Sequence, residues 1–256
     1  MTSPEARRRQ IVELVTDENG LSVEEISNRF DVSEPTIRRD LRELADRELI
    51  ERTYGGALPA TKVGSERSFD QRIVQGLDRK RAIGRRAVEE IHNGQVVFFN
   101  CGSTTLQIAR QVPEDDEFVA VTNSPLIAIQ FGGEENQIEV TGGSFRSESM
   151  GLVGSTAEEY VRSSNFDLAF IGTNGIDGEG TLTAPNEAEA GVKRAVIANT
   201  ARSVVVSEVD KFGERTFRQF ATLNDIEAVV TDHDIPDQFR ELFEETDTEW
   251  LRGVEA

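Results

Sequence analysis

Apolar Ile11, Leu14 and Val15 fall at helical spacing behind Pro4 and predict a first helix over about residues 4–18, ended by Asn19-Gly20. Ser22 followed by Glu25 is a capping-box pattern, so a second helix is expected from there to about Arg29. Phe30-Asp31-Val32 is a tight connection. Ser33 then stands where it can cap a third helix, with Pro35 tolerated in the first turn. Two short helices three residues apart fit a helix-turn-helix. Leu49-Ile50-Glu51-Arg52-Thr53-Tyr54 followed by Gly55-Gly56 reads as a hairpin strand and turn, a wing beside those helices.

Beyond it the pattern changes. Leu58 to Ser65 holds Pro, Thr, Lys, Gly and Ser with little apolar content and reads as a linker. A helical region is expected from about Arg67 to His92, with Ile83, Ala87, Val88 and Ile91 as its stripe. Strand-like runs follow at Gln95–Asn100, Phe118–Thr122, Gln137–Thr141, Asp167–Gly172, Ser203–Ser207 and Ala228–Thr231. Helical patterns begin between them near Thr104, Pro125, Ser155, Asn186 and Pro236. This alternation predicts an α/β unit with a mainly parallel sheet and helices on both faces. There is no internal repeat and no low-complexity segment.

Composition narrows the function classes. The 256 residues suffice for two modest domains with a proper core. Cys101 is the single cysteine, which excludes an intrachain disulfide and a Cys-based zinc finger. His92 and His233 lack companions at metal-ligand spacing, so no metal and no cofactor is expected. The apolar runs, such as Val96-Val97-Phe98-Phe99, are too short to cross a bilayer, and no apolar segment follows the N-terminal arginines. A cytoplasmic protein with no membrane partner is the expectation.

The net charge is −19, from 47 acidic and 28 basic residues, and the only lysines are Lys62, Lys80, Lys193 and Lys211. Acid spread along the whole chain with so little lysine fits a solvent of high salt, where carboxylates hold water and dense ions screen their repulsion. The melting temperature is therefore expected to fall on dilution from molar to about 0.1 M KCl, where the Debye length lengthens to about 10 Å. A flat or rising melting temperature would contradict the halophilic reading.

The third helix carries the chemistry. On a wheel of about 100° per residue, Ile37, Leu41 and Leu44 cluster as a buried stripe. Arg39, Arg42 and Pro35 lie opposite, with Thr36 and Arg38 on the flanks. Arginine bonds guanine or phosphate, and a threonine methyl touches thymine, so this face suits the major groove of DNA. Residues 1–60 nevertheless carry 9 arginines against 13 acids. At very high salt counterion release contributes little, so recognition there would rest on direct contacts from a few arginines.

In the second unit the strand ends are polar and rich in glycine. Asn100-Cys101-Gly102-Ser103-Thr104-Thr105 enters a helix, where N–H groups and hydroxyls can cradle a phosphate. It lacks the lysine of a P-loop, which argues against nucleotide triphosphate hydrolysis. Thr122-Asn123-Ser124, Gly142-Gly143 and Gly172-Thr173-Asn174-Gly175-Ile176-Asp177 follow three further strands. Together they predict a polyol phosphate site at the strand ends. Lys193 and Lys211 stand out among arginines as candidate phosphate or sugar-oxygen ligands, with surface lysines as the alternative. Cys101 reads as a small buried residue and not a nucleophile.

Ser33-Glu34-Pro35-Thr36-Ile37-Arg38-Arg39-Asp40-Leu41, with Tyr54-Gly55-Gly56-Ala57, resembles the DNA-binding signature of the DeoR family of transcriptional regulators. The second unit resembles that family's effector domain, which is similar in fold to ribose-5-phosphate isomerase and glucosamine-6-phosphate deaminase. The matching stretches are Gly102–Thr105, Gly172–Asp177, Glu187-Ala188-Glu189 with Val192-Lys193-Arg194, and Asp210-Lys211-Phe212-Gly213. The chain departs from the family at Glu48, where glycine is usual, at Asn100, where aspartate is usual, and at Glu208–Phe212, where Asp-x-Ser-Lys-Phe is usual.

The resemblance implies a winged helix-turn-helix over 1–57, a linker over 58–66 and an effector-binding and oligomerisation domain over 67–256. It implies a repressor of fructose, glucose or glycerol-type metabolism genes, self-associated, bound to double-stranded operator DNA and relieved by a phosphorylated sugar. The expected DNA contacts are Ser33, Pro35, Thr36, Arg38, Arg39, Arg42, Arg52, Tyr54, Gly55 and Gly56. The expected effector contacts are Asn100, Gly102, Ser103, Thr104, Thr105, Thr122, Asn123, Gly142, Gly143, Gly172, Thr173, Asn174, Gly175, Asp177, Glu189, Lys193 and Lys211. No catalytic residue is assigned. Two alternatives stay open: a phosphosugar isomerase or deaminase fused to a DNA module, in which Glu187, Glu189 and Asp177 would be acid and base, and a transcriptional activator built from the same parts.

Overall fold

The computed structural model describes residues 4–18, 20–47, 49–52, 55–59, 69–113, 117–132 and 137–253. The chain divides into two compact units, residues 1–65 and 66–256. The first contains α1 (Pro4–Asp17), β1 (Leu21–Ser22), α2 (Val23–Phe30), α3 (Glu34–Asp46), β2 (Ile50–Arg52) and β3 (Gly56–Pro59). Its core joins Ile11 and Val15 of α1, Ile26 of α2, Ile37, Leu41 and Leu44 of α3, and Ile50 of β2. Ser22 and Glu25 form the expected capping box, and Asp31 ends α2 in the left-handed conformation. Ser33 differs from expectation. Its hydroxyl caps no backbone N–H and instead lies 3.1 Å from Thr36 Oγ1.

The wing is an antiparallel hairpin in which β3 pairs with both β2 and β1. The expected linker from Leu58 must be corrected at its start. Leu58 and Pro59 pair with Glu51 and Ile50, so the wing runs two residues further. A Cβ at Gly56 would lie 2.1 Å from Leu21 O, so only glycine lets β3 approach β1.

The second unit begins with α4 (Phe69–Val74) and α5 (Leu77–Val88). The helical region expected over 67–92 is divided at Gly76, which takes a left-handed φ of 60°. There follow β4 (Val96–Phe99), α6 (Ser103–Ala109), β5 (Val119–Thr122), α7 (Pro125–Phe131), β6 (Gln137–Val140), β7 (Ser144–Arg146), β8 (Gly151–Val153) and α8 (Ser155–Arg162). The remainder is β9 (Phe166–Gly172), β10 (Gly175–Ile176), β11 (Thr181–Ala184), α9 (Glu187–Ala198), β12 (Thr200–Ser207), β13 (Arg218–Thr222), β14 (Ala228–Thr231), α10 (Arg240–Glu245) and β15 (Glu249–Arg252).

The main sheet is parallel throughout, in the order β15-β14-β12-β9-β4-β5-β6. Its central strands are almost continuously apolar because both faces are covered. Phe98, Ala169, Ile171, Val205 and Val229 point to one side, against α8 and α9. Val97, Phe99, Leu168, Phe170, Val204 and Val230 point to the other, against α5, α6 and α7. β10, β11 and β13 form a small antiparallel sheet, and β7 and β8 form a hairpin.

Candidate functional sites

The wheel drawn from sequence holds in α3. Ile37, Leu41 and Leu44 are buried, while Pro35, Arg38, Arg39 and Arg42 are exposed and Thr36 is half-buried. Arg38 pairs with Glu34 at 3.0 Å. Among the described residues Arg39 and Arg42 form no ion pair, so both guanidinium groups face solvent unspent. Arg52 and Gly55 are exposed on the wing, whereas Gly56 is buried in the β1–β3 ladder and belongs to the scaffold. Tyr54 and Glu48 lie outside the described residues.

Asp40 is a further residue of α3 that carries the geometry. It is 1% exposed and accepts Arg7 Nε at 2.7 Å and Arg8 Nε at 2.8 Å. Arg8 also bonds Glu43 at 2.5 Å. Arg7 and Arg8 of α1 are thus spent on fixing α3 from behind, and its outward face is left to Arg39 and Arg42. A signal for this was present: Asp40 lies between Ile37 and Leu44 in the buried stripe, a position where an acid needs a cation.

In the second unit the chain starts the main sheet at β4, runs to β5 and β6 on one side, and then to β9, β12, β14 and β15 on the other. The strand order therefore reverses between β4 and β9, and ligands of open α/β sheets bind at the carboxyl ends beside such a point. Asn100-Cys101-Gly102 leave β4 there and Gly172-Thr173-Asn174 leave β9, and Asn100 N donates to Phe170 O at 3.0 Å. Two of the loops singled out in sequence thus flank the reversal.

The polar side chains there divide into scaffold and free groups. Thr105 Oγ1 bonds Gly102 O, Thr122 Oγ1 bonds Phe99 O, and Thr173 Oγ1 bonds Gly175 O. Asn123 is buried and holds three elements: its Oδ1 accepts Cys101 N at 2.7 Å, and its Nδ2 donates to Leu152 O and to Cys101 Sγ. Asp177 Oδ1 accepts the N–H groups of Glu179 and Thr181 and closes a turn. Gly142 and Gly143 have positive φ, and a Cβ at Gly143 or Gly175 would strike the carbonyl of Val153 or Glu214. By contrast, the hydroxyls of Ser103 and Thr104 have no partner among the described residues, and Asn100 Oδ1 is buried without a donor. Gly172 faces open space, and Asn174 is half-buried.

Sequence reasoning missed the β7–β8 hairpin, whose three-residue strands carry no readable alternation. It nonetheless closes on this end of the sheet. Leu152 N donates to Asn123 O, Arg72 Nη2 of α4 donates to Glu148 O at 2.6 Å, and Arg146 Nη1 meets Glu189 Oε1 at 2.8 Å. A Cβ at Gly151 would lie 2.4 Å from Cys101 Sγ and 3.4 Å from Ser149 Oγ, so hairpin and loop are in close contact.

Charge is concentrated here. Glu189 and Lys193 of α9 are both buried, Lys193 Nζ lying 5.0 Å from the Phe220 ring centroid. Burial first, and then the Glu189 charge, push the Cys101 thiol up to about 11, against the opposing pull of Lys193 and Arg72. At pH 8 its thiolate fraction is then about 100-fold below that of an ordinary cysteine. Native protein should react with iodoacetamide at least that much more slowly than unfolded protein at pH 8. Equal rates would contradict the buried placement.

Lys211 belongs to another strand end. It lies in the single turn after β12, where its charge acts on Lys80 and Glu208. Lys80 Nζ lies 3.3 Å from Glu208 and also bonds the carbonyls of Arg72 and Gln75. Burial pushes the Glu208 carboxyl up and the Lys80 ammonium down. The charge of Lys211 thus acts with Lys80 and Glu208 at the end of β12, while Asn100, Ser103 and Thr104 follow β4 and Glu189 and Lys193 stand on α9.

Among the described residues no helix is long and apolar enough to cross a membrane, and no group of His, Cys, Asp or Glu could hold a metal ion.

The DeoR-like helix-turn-helix domain matches residues 7–63, and the DeoR C-terminal sensor domain matches residues 75–233. The chain is 48% identical over 251 residues to the HTH-type transcriptional regulator GlpR of Haloferax volcanii, covering 98% of each. It is 32% identical to the glycerol-3-phosphate regulon repressor of Escherichia coli, covering 88% of this chain and 90% of the relative. Among solved structures, ribose 5-phosphate isomerase A of Methanocaldococcus jannaschii is similar at a TM-score of 0.39 and 16% identity, over 52% of this chain and 53% of that one. With a helix-turn-helix at one end, a sensor domain at the other and relatives aligned along nearly its whole length, the chain belongs to the DeoR family of transcriptional regulators.

Proposed function

We propose that this regulator represses genes of sugar or polyol phosphate metabolism and is released from DNA by a phosphorylated sugar. The DNA-binding part is 1–59, with the wing included, and the effector part is 67–256. Arg39 and Arg42 of α3 make the base and phosphate contacts in the major groove, with Arg52 of the wing on the adjacent backbone. The observation that carries the effector assignment is the chemistry beside the β4–β9 reversal. Ser103 and Thr104 offer unspent hydroxyls, the positive charges of Lys193 and Arg72 reach the adjacent Cys101, and Asn100 offers a vacant acceptor. Donors and cations suit a phosphate, and an acceptor suits a sugar hydroxyl. The glycerol-3-phosphate named for the Escherichia coli relative has both groups.

Two copies on a two-fold axis would read inverted half-sites, and the effector would favour an arrangement that fits them less well. A coupling free energy of about 1–3 kcal/mol suffices for such a switch. The carboxylates support regulation over isomerisation. Glu189 is held by Arg146 and Asn186, Asp177 is spent on a turn, and Glu187 pairs with Arg194. None is left as an uncommitted base beside the vacant groups, as a proton transfer needs. Turnover of pentose or hexose phosphates by the purified protein would favour the enzyme instead.

The test is Thr104→Glu, which puts a rival negative charge at the start of α6. The variant is expected to bind operator DNA as the parent does, and to stay bound when phosphosugar is added. A normal response would show that the loop is only a turn.

A further inference from the structure

The Asn100 amide has only one way to stand. Asn123 Oδ1 accepts from Cys101 N at 2.7 Å, and Asn123 Nδ2 donates to Leu152 O at 3.0 Å, so backbone groups on both sides fix the Asn123 amide. Asn100 must therefore turn Nδ2 toward Asn123 Oδ1, which it meets at 3.2 Å, because the reverse orientation would set two carbonyl oxygens against each other. Asn100 Oδ1 is thereby an obligate acceptor. It is buried, and among the described residues no donor reaches it.

A second vacant group lies close by on another element. Ser149, in the β7–β8 hairpin, is 1% exposed, and its Oγ has no hydrogen-bond partner among the described residues. It borders Gly151, against which Cys101 Sγ packs, and Cys101 follows Asn100 directly. Buried polar groups are rarely left unpaired, and two at one end of a sheet mark a place for a polar ligand group.

Resting on the phosphosugar reading above, we propose that Asn100 and Ser149 together recognise one hydroxyl of the effector and reject a carbonyl at the same carbon. The hydroxyl donates its proton to Asn100 Oδ1 and accepts from Ser149 Oγ. A keto or aldehyde oxygen has no proton to give and would face Asn100 Oδ1 lone pair to lone pair. A ligand ammonium would satisfy the acceptor, but the positive charges of Lys193 and Arg72 act on the neighbouring Cys101 and oppose it. The sensor is thereby tuned to an alcohol of the phosphorylated compound and not to its oxidised partner. A site that hydrogen-bonds a substrate hydroxyl discriminates strongly because its own polar groups are left unpaired by the wrong ligand.

The experiment is a binding cycle between ligand and protein, measured by calorimetry on the full chain in molar KCl. A panel of triose, glycerol, pentose and hexose phosphates first finds the tightest ligand, with inorganic phosphate as the reference. That ligand, its singly deoxygenated analogues and its keto analogue are then titrated into the parent, Asn100→Leu and Ser149→Ala, each checked for folding by its melting transition. At one hydroxyl the parent should lose at least tenfold in affinity for the deoxy and keto forms. Asn100→Leu should bind all three alike, and Ser149→Ala should show a smaller part of the same loss. Inorganic phosphate should bind parent and both variants equally.

A parent indifferent to every deoxygenation, or an Asn100→Leu variant as selective as the parent, would overturn the proposal while leaving the phosphosugar reading intact. No binding of any phosphorylated compound would remove both.

Discussion

Replacing Asp40 with alanine is expected to unfold the N-terminal unit while the sensor unit stays folded. Breaking a buried ion pair by removing one partner costs about 3–5 kcal/mol, because the remaining charge is left without compensation. Arg8 keeps its pair with Glu43, and the stranded Arg7 guanidinium retains 12% side-chain exposure, so some solvent reaches it and the lower end of that range applies. A unit of this size has about 0.05–0.15 kcal/mol of stability per residue, a few kcal/mol in total. The loss therefore takes most of it. Hydrogen exchange should show protection lost across α1, α2 and α3 and kept in the main sheet. Asp40→Asn keeps the shape but loses the charge, and should fall between parent and alanine. Unchanged protection in α1–α3 for Asp40→Ala would show that the Arg7–Asp40–Arg8 cluster does not hold the recognition helix.

The double variant Arg39→Ala with Arg42→Ala is expected to abolish specific operator binding without unfolding the protein. Both residues are exposed on α3, and surface substitutions of this kind usually change stability by within about 0.5 kcal/mol. Each lost arginine contact costs about 1–3 kcal/mol of binding, so the pair removes roughly one to four orders of magnitude in affinity if the two add. The effect should persist in molar salt, where counterion release has faded and direct contacts dominate. Fluorescence anisotropy with an operator duplex in molar KCl measures it. Affinity equal to the parent's in this variant would mean that α3 does not face the groove.

Much of this was legible because the local signals agreed with the fold. The Ser22–Glu25 box and the stripe of Ile37, Leu41 and Leu44 each depend on near neighbours in sequence, and each formed. The apolar runs of β4, β9, β12 and β14 were readable because a parallel strand covered on both faces has no alternation to lose. What escaped was non-local. The break at Gly76 goes with Lys80 gathering the carbonyls of Arg72 and Gln75 and pairing with Glu208, which follows the distant strand β12. The β7–β8 hairpin depends on Asn123 and Arg72, and its strands are too short to carry a pattern. The role of Asp40 needed α1 and α3 to be packed together before it could be seen.

At the effector end the sequence named loops that flank the strand-order reversal but did not separate scaffold from vacancy. Thr105, Thr122, Asn123 and Asp177 read as ligands because their residue types suit a sugar, yet each is spent on holding a loop. Asn100 and Ser149 became distinguishable only once their neighbours' hydrogen bonds were assigned.

The central claim, a DNA-bound regulator released by a phosphorylated sugar, is tested most directly by titrating the operator complex of the full chain in molar KCl. The titrants are a set of phosphosugars and glycerol phosphate, the same sugars without phosphate, and inorganic phosphate alone. The account predicts that one phosphorylated compound dissociates the complex while its unphosphorylated form leaves it intact at the same concentration. Equal release by the free sugar, or a complex that no phosphorylated compound dissociates, would contradict it.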